Sequence, residues 1–436
     1  MKNKYLIIAD DLTGGADTGV QFSGRGLRTF LINFTGEENF DFSRYAAPEV
    51  LVVNTDSRGT QPALASALIS RLMETYDPEI FPLIYKKIDS TFRGNIGSET
   101  EAVLKGANIP LAFVTPSLPK QGRIVAGGIL MVSGRPVAET EISRDAVSPV
   151  TESHVGNLMG QQTSLRVGWV EQADVSAGPE ALTTAVERER KQGTRIIIFD
   201  ALEEGDLANI VAVGMAMEKT PLFVGSAGLA EQLAKRIASP SLDDDSLLEK
   251  RPFKHIFIVN GSASGVTHGQ LAKFQKRNGI QVCRFEKSFF LRDKITRGAF
   301  ERNISSLAVK ALLGGCCVLE VCTERLPERL ADGSLSRSVI TAHLSSAVLS
   351  VLYELKPNPQ EFVLLLTGGD TAVQVLKFLG VDAIEIEREI IEGIVMSRIP
   401  SGAWQGLPVV TKAGGFGKED ALEKTAELLL RGNDPA

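Results

Sequence analysis

The densest group of reactive side chains in this sequence lies in the stretch "YKKIDSTFRGNIGSE", residues 85–99. It follows an apolar run that is typical of a buried strand, and Lys86 and Lys87 alternate in direction at its end, so only one of them can face a given cleft. Lysine and arginine bind carboxylates, whereas aspartate and serine bind hydroxyl groups. We therefore expect a pocket for a small polyhydroxylated acid, although an ion-paired surface turn is the alternative interpretation. The candidate residues are Lys87, Asp89, Ser90 and Arg93.

Two further polar groups follow apolar runs in the first half of the chain. Asp10 and Asp11 lie in "IIADDLTGGADTG", where two carboxylates could act as a general base or hold Mg²⁺ through water. One of them could instead cap the following helix, but a cap explains only one aspartate. Arg58 in "NTDSRGT" offers a planar fork suited to a carboxylate, with a solvated turn arginine as the alternative.

The second half of the chain repeats a different pattern, in which an apolar strand is followed by a glycine-rich turn and a helix. Glycines let a ligand approach the backbone, and the exposed N–H groups of a helix start attract phosphate. Several such turns in one half indicate a nucleotide site, whereas each one alone could be an ordinary glycine-capped turn. The segments are "VNGSASGVTHGQL" (259–271), "LLLTGGDTAVQVL" (364–376) and "VVTKAGGFGKEDAL" (409–422), and "VGSAGLAEQL" (224–233) has the same plan in the first half.

Two details of these turns give more specific expectations. Thr267 and Gln270 have the spacing of a capping box, which predicts that a helix starts at Thr267. Asp370 could contact Mg²⁺ or the nucleotide, or could cap its own helix.

Several common sites are absent from the sequence. The P-loop pattern G-x-x-x-x-G-K-[ST] does not occur, and no G-x-G-x-x-G follows the first strand, which argues against a dehydrogenase. The four histidines lack metal-ligand spacing, so we predict no protein-held metal centre.

The elements that must position these residues are short apolar runs alternating with amphipathic helical patterns. This alternation predicts an α/β fold in which each domain is a largely parallel sheet flanked by helices, with a cleft between the domains. Residues 120–175, rich in Gly, Pro and Ser, predict an antiparallel excursion. The expected strands are 5–9, 29–33, 50–54, 82–86, 111–115, 195–200, 221–225, 255–260, 316–321 and 362–368.

The chain is long enough for two domains at 436 residues. The acidic stretch "SPSLDDDSLLEKRPFK", residues 239–254, has two prolines and no periodicity, as a linker should. We predict a substrate domain over 1–240, a linker over 241–254 and a nucleotide domain over 255–436.

Bulk composition excludes other classes of protein. A net charge of −6 provides no general basic field for nucleic acid or anionic membrane. The four cysteines form no C-x-x-C pair, which favours reduced thiols in a core, and no apolar run suggests a signal peptide or membrane span. We therefore expect a cytoplasmic protein.

Taken in order, six motifs resemble those of the four-carbon acid sugar kinase family. They are "IADDLTGGADTG", "KKIDSTFRGNIGSE", "VGSAGLA", "GSASGVTHGQ", "LTGGDTA" and "KAGGFG". The resemblance spans nearly the whole chain and implies a two-domain α/β enzyme that transfers phosphate from ATP to the terminal 4-hydroxyl of a four-carbon sugar acid. The segment "KKIDS" resembles the corresponding motif in the branch of the family that acts on aldonates, rather than in the branch that acts on 3-oxo-tetronates. It does not decide whether the substrate is threonate or erythronate.

The resemblance also implies roles for individual residues. Asp11, Arg58 and the run Lys87, Ile88, Asp89 and Ser90 would hold the acid, and Arg93 joins them as a candidate from its place in the same polar stretch. ATP with Mg²⁺ would lie on Ser262, on Gly368, Gly369, Asp370 and Thr371, and on Gly414, Gly415 and Gly417.

The implied base is a carboxylate that takes the hydroxyl proton, Asp11 or Asp89, and we favour Asp11. Expected partners are small molecules, and a homodimer is compatible with this interpretation. A hydroxy-acid oxidoreductase and a non-catalytic acid-binding protein are the alternatives from other classes.

Overall fold

A computed structural model describes residues 4–36, 40–45, 48–145, 147–238, 252–262, 264–276, 280–290, 294–321 and 336–431. The chain divides into two compact units, Met1–Leu242 and Asp243–Ala436. The predicted linker lies largely outside the described residues, so its conformation stays a prediction, as does the predicted cleft.

The first unit is built on a parallel sheet whose strands run in the order β2-β3-β1-β4-β11-β5-β10-β9. Most of these strands are buried along their whole length, because helices cover both faces of such a sheet. The unit's strands are β1 Tyr5–Ala9, β2 Thr29–Asn33, β3 Val50–Asn54, β4 Leu83–Lys87, β5 Ala112–Thr115, β6 Arg123–Ala126, β7 Ile129–Val132, β8 Arg135–Pro136, β9 Val167–Val170, β10 Ile196–Phe199 and β11 Leu222–Gly225.

The helices of the first unit connect these strands, which is the arrangement that parallel strands require. They are α1 Leu12–Ser23, α2 Pro62–Met73, α3 Ile96–Gly106, α4 Val155–Gly160, α5 Gln172–Ser176, α6 Pro179–Lys191, α7 Glu204–Ala216 and α8 Ala227–Ile237.

The predicted antiparallel excursion exists but is shorter than expected. Strands β6, β7 and β8 form a separate antiparallel sheet between residues 123 and 136. The bound of 175 was wrong, because β9 returns to the main sheet and pairs in parallel with β10. The Gly-, Pro- and Ser-rich composition hid the short strand "VGWV".

The second unit has a parallel core in the order β13-β14-β12-β15-β18, extended by antiparallel β17 and β16. Its strands are β12 His255–Asn260, β13 Gln281–Phe285, β14 Cys316–Val321, β15 Phe362–Thr367, β16 Ala383–Ile391, β17 Ile394–Arg398 and β18 Pro408–Lys412. Its helices are α9 Gly265–Gln275, α10 Lys287–Phe290, α11 Lys294–Leu313, α12 Ser336–Leu355, α13 Gly369–Phe378 and α14 Ala421–Arg431.

The α/β prediction is confirmed in both units. Cys283, Cys316 and Cys317 are buried and form no disulfide, as expected, whereas Cys322 lies outside the described residues. Within the described ranges no helix has the length and apolar character needed to cross a bilayer.

Candidate functional site

The predicted residues of the first unit follow the carboxyl ends of neighbouring parallel strands. β3, β1, β4 and β11 are adjacent, and the register aligns Asn54 with Ala9, Ala9 with Lys87, and Lys87 with Gly225. Ligands of open parallel sheets bind beyond this edge. The sheet therefore brings together side chains that are far apart in the sequence.

Arg58 is held by both aspartates that follow β1. Its Nε donates to Asp10 Oδ2 at 2.9 Å and its Nη2 to Asp10 Oδ1 at 2.8 Å, while Nη2 also reaches Asp11 Oδ1 at 2.5 Å. Nη1 lies 3.8 Å from Asp89 Oδ1, beyond hydrogen-bond range. The edge of the guanidinium predicted to hold a substrate carboxylate thus holds Asp10, and Nη1 is the Arg58 nitrogen without a hydrogen bond to a described residue.

These contacts determine the protonation states of Asp10 and Arg58. Burial opposes ionisation of Asp10, but the Arg58 guanidinium outweighs it and keeps the pKa of Asp10 below its ordinary value. Burial also opposes the charge of Arg58, but Asp10, Asp11 and Asp89 raise the pKa of Arg58 well above its ordinary value. Both groups are therefore charged at neutral pH.

Asp11 starts α1, as the capping alternative predicted. Its side chain accepts from Gly14 N at 3.2 Å and from Thr13 Oγ1 at 2.6 Å. A Cβ built at Gly14 would collide with Asp11 Oδ1 and would lie 2.9 Å from Lys87 Nζ. The close approach of α1 to Lys87 and the Asp11 carboxylate therefore depends on glycine at position 14.

Asp89 is anchored more tightly than Asp11. Arg93 donates to it through Nε at 2.9 Å and Nη2 at 3.0 Å, and Thr91 donates through its backbone N at 3.1 Å and its hydroxyl. Burial opposes its charge, but Arg93 and Arg58 hold the pKa of Asp89 well below its ordinary range. Asp89 is therefore a poor proton acceptor at neutral pH.

Arg93 is a link in this network. Its Nη1 donates to Asp145 Oδ2 at 3.1 Å, and Asp89 is the main reason that the pKa of Arg93 is raised. The stretch is ion-paired, as the alternative held, but it is not a surface turn, because Lys87, Asp89 and Ser90 are all buried.

The two lysines at the end of β4 have different partners, as alternation predicted. Lys86 and Glu99 of α3 form a fully buried ion pair at 2.8 Å. Lys87 Nζ donates to Ile88 O at 2.8 Å and has no ion pair with a described carboxylate. Among the cations of this cluster, Lys87 therefore has the most capacity left for an anionic ligand.

Glu99 is a supporting residue that sequence reasoning missed. Besides Lys86 it accepts from Ser57 Oγ at 2.7 Å, and Ser57 precedes Arg58. Asn95 Nδ2 also donates to Ser57 O at 3.0 Å. These buried bonds fix the loop that carries Arg58, and the only sequence signal was an acidic residue in the first turn of a helix.

The second unit brings its three predicted glycine turns together in the same way. Asn260 Oδ1 at the end of β12 accepts from Ser262 N at 3.1 Å and from Thr367 Oγ1 at 2.7 Å. Gly368 N donates to Lys412 O at 2.9 Å, which joins the ends of β15 and β18. The turns that follow β12, β15 and β18 are therefore neighbours.

Two glycines are required by this convergence. Gly368 has a φ of 96°, which strains other residues, and a Cβ there would lie 3.4 Å from both Ser262 Cβ and Thr371 Oγ1. A Cβ at Gly414 would collide with Ser262 Oγ.

The helix that carries Asp370 is capped by Gly368, so Asp370 lies within its first turn and the capping alternative for Asp370 was wrong. Gly369 and Thr371 lie in that turn too.

The predicted capping box in α9 was also wrong. The helix begins at Gly265 after the N-cap Ser264, so Thr267 lies within its first turn. Thr267 Oγ1 instead donates to Gly414 O at 2.6 Å, and Gln270 Nε2 donates to Phe416 O at 3.0 Å and to Gly417 O at 3.0 Å. Both side chains bind the third glycine turn rather than their own backbone.

Lys412, the last residue of β18, was not predicted as a site residue. It is fully buried, and burial lowers its pKa to about 8. Its Nζ donates to Ala413 O at 2.8 Å and lies 3.5 Å from Thr267 Oγ1. The sequence signal was a lysine directly before the glycine turn "AGGFG".

Comparisons with known proteins also divide the chain into a sugar-binding first part and a nucleotide-binding second part. Residues 5–233 match the family described as a sugar-binding N-terminal domain, and residues 257–422 match the nucleotide-binding C-terminal domain. A D-threonate kinase of Salmonella typhimurium is 33% identical over 96% of this chain and 96% of its own length. The chain belongs to the four-carbon acid sugar kinase family.

As a member, the protein is an ATP-dependent sugar-acid kinase, and the oxidoreductase and non-catalytic alternatives are set aside. A D-threonate kinase of Cupriavidus necator is 30% identical over 99% of both chains, and a D-erythronate kinase of Heliobacterium modesticaldum is 27% identical over 98% of this chain and 97% of its own length.

Solved structures agree on the fold of this kinase. A Salmonella typhimurium protein described as a putative tRNA synthase has a TM-score of 0.76 at 21% identity, covering 97% of this chain and 98% of its own. A Haemophilus influenzae protein has a TM-score of 0.72 at 21% identity, covering 98% and 100%.

Proposed function

We propose that this protein phosphorylates the terminal 4-hydroxyl of D-threonate with ATP, giving 4-phospho-D-threonate. The observation that carries the proposal is the buried cluster around Lys87, in which an ammonium without a described ion-pair partner lies beside an aspartate at the edge of a parallel sheet. Relatives named D-threonate kinase, 29 to 33% identical over nearly the full chain, support this choice of acid.

In this proposal Lys87 and Arg58 hold the carboxylate of the acid. Lys87 has donors to spare, and Arg58 contributes Nη1 while its remaining donors keep Asp10 and Asp11 in place. Ile88 and Ser90 line the same turn, and Arg93 keeps Asp89 oriented. The acid is therefore held by a rigid, pre-paired network rather than by mobile side chains.

Asp11 is the proposed proton acceptor. Its side chain is 18% exposed against 11% for Asp89, and it accepts from fewer donors. The lowered pKa of Asp89 makes that carboxylate the weaker base. Proton transfer to Asp11 occurs late, since phosphoryl transfer places little demand on the base until the new bond forms.

The glycine turns of the second unit are the proposed ATP site. Their residues, as predicted, are Ser262, Gly368, Gly369, Asp370, Thr371, Gly414, Gly415 and Gly417. Mg²⁺ would neutralise charge on the phosphates, and kinases hold it mainly through those phosphates and one or two carboxylates. Asp370 in the first turn of α13 fits that requirement, and no described cluster of His, Cys, Asp and Glu forms a separate metal cage.

A coupled ATP-to-ADP assay over D- and L-threonate, D- and L-erythronate and their 3-oxo forms tests the proposal. We expect the highest kcat/KM with D-threonate, and phosphorus NMR of the product should place the phosphate on the 4-oxygen. A higher kcat/KM with D-erythronate or a 3-oxo-tetronate would refute the assigned acid but keep the kinase. No ADP formation with any of these acids would refute the four-carbon substrate class.

A further inference from the structure

Five of the six backbone carbonyls in the third glycine turn, residues 413–418, accept hydrogen bonds from buried side chains. Three side chains do this: Lys412 from β18, and Thr267 and Gln270 from α9. The carbonyls that accept are those of Ala413, Gly414, Phe416, Gly417 and Lys418, at 2.6 to 3.0 Å. We call the segment 413–418, with its carbonyls so held, the glycine nest.

Because these carbonyls point into the protein, the N–H groups that follow them point away from it. In a trans peptide the C=O and the following N–H point in opposite directions, so the bonds to Ala413 O and Gly414 O turn the N–H groups of Gly414 and Gly415 away from the interior. Neither N–H has an acceptor among the described residues. Successive amides oriented this way form a concavity that binds anions.

Lys412 adds positive charge beneath the glycine nest. Its ammonium faces the Ala413 carbonyl and the Thr267 hydroxyl, neither of which titrates, and burial alone accounts for its lowered pKa. No described carboxylate pairs with it. A buried cation without a counter-charge costs stability, and such groups occur at functional sites.

We propose that Thr267, Gln270 and Lys412 are positioning residues that hold the glycine nest open as a receptor for a phosphate of the nucleotide. This inference rests on the proposed ATP site and assigns it a phosphate-specific part. The three side chains act through the backbone of residues 413–418, and the buried charge of Lys412 favours an anion above it.

The test is calorimetric titration of the full-length protein with ADP and, separately, with adenosine. Thr267→Val removes the hydroxyl but keeps the shape, and Lys412→Met removes the charge but keeps the length. Each should weaken ADP binding by about tenfold, the equivalent of one well-placed hydrogen bond, and should leave adenosine binding unchanged. Phosphate specificity is the readout that a merely structural role would not give.

Two matched controls accompany these variants. Thr425→Val removes a buried hydroxyl that donates to its own helix at Ala421 O, and Lys377→Met removes an exposed lysine of α13. Neither should change ADP affinity. Because Lys412→Met relieves a buried charge, it should fold at least as stably as wild type, so a loss of ADP affinity cannot be attributed to unfolding.

Two results would overturn the inference alone: wild-type ADP affinity in both Thr267→Val and Lys412→Met, or an equal loss of adenosine affinity. Absence of ADP binding in the wild-type protein is a different result, since it would refute the proposed ATP site together with the inference.

Discussion

Asp11 and Asp89 are both carboxylates at strand ends, but their partners give them different roles. Asp89 receives a two-point bond from Arg93 and two more from Thr91, which suits an anchor. Asp11 caps α1 and lies beside Gly14 and Lys87 with a more exposed side chain. The same residue type is thus an anchor at one strand end and a candidate base at the next.

Replacing each aspartate by asparagine should separate these roles. Asp11→Asn keeps a good helix cap but loses the base, so kcat should fall by about 10²–10⁴-fold with a modest change in KM. Asp89→Asn removes the two-point partner of Arg93 and leaves Asp145 as its described counter-charge, so the free energy of unfolding should fall by up to about 3 kcal/mol. Steady-state kinetics and denaturant unfolding measure both.

Asp174→Asn is the control for this pair of variants, because it removes only an exposed ion pair with Arg188. Near-normal kcat in Asp11→Asn would assign proton transfer elsewhere. A large loss of kcat in Asp89→Asn at unchanged stability would make Asp89 the base.

Lys412 predicts an unusual dependence of stability on pH. Burial lowers its pKa from 10.5 to about 8 in the folded protein. Between these two values the unfolded chain binds the extra proton, so this residue makes the folded state gain stability as the pH rises. Below pH 8 Lys412 is protonated in both the folded and the unfolded state, so burial of its charge lowers the free energy of unfolding by the full amount.

Comparison with Lys412→Met isolates this contribution. The variant should be more stable than wild type at pH 7, and the difference should shrink as the pH rises from 8 towards 10. Denaturant unfolding across this range measures it. A difference that is constant across this pH range would show that folding does not lower the pKa of Lys412, so that the lysine stays protonated in the folded protein.

At the level of elements, the strands that position the sites were predictable from long apolar runs. Five predicted strands, 5–9, 29–33, 50–54, 255–260 and 316–321, have the observed bounds. Strands buried on both faces appear in the sequence as continuous apolar runs. Such a run can be recognised without knowing which strands lie beside it. β16 was missed because "AIEIEREII" alternates charged and apolar residues, as an antiparallel strand with one exposed face does.

The contacts between elements were not predictable. Arg58 was predicted to bind a ligand carboxylate, but Asp10, 48 residues away, occupies its fork. Thr267 and Gln270 fit a local capping pattern, yet a turn about 146 residues further on accepts their hydrogen bonds. Local spacing cannot reveal such partners, because the sheet alone decides which turns become neighbours.

The start of α1 offers a prediction at this level. Gly14→Ala should displace the Asp11 carboxylate and Lys87 Nζ, since the new methyl group would overlap both. We expect KM for the acid to rise by about tenfold or more, an order of 1 to 2 kcal/mol, while KM for ATP stays constant.

Gly205→Ala in α7 is the matched control, because a Cβ there meets nothing within 4 Å. It should leave both constants unchanged and slightly stabilise the helix. If KM for the acid is unchanged in Gly14→Ala as well, the start of α1 is not part of the acid site.

At the scale of the whole molecule, each unit binds one ligand in the proposed function. The first unit offers a pre-paired network with spare donors on Lys87, and the second offers converging glycine turns above a buried lysine. In the proposed function both are anion receptors, the first for a carboxylate with hydroxyls and the second for phosphates. This division follows the order of the sugar-binding and nucleotide-binding family matches.

The most direct test of this division measures KM for D-threonate and KM for ATP in Lys87→Ala and Gly414→Val, with Lys191→Ala, an exposed lysine of α6, as the control. Lys87→Ala should raise KM for the acid by about 10²-fold, or about 2–3 kcal/mol, and leave KM for ATP within about twofold. Gly414→Val should do the reverse, because its side chain collides with Ser262. A rise in KM for ATP in Lys87→Ala, or in KM for the acid in Gly414→Val, would contradict the assignment of one ligand to each unit.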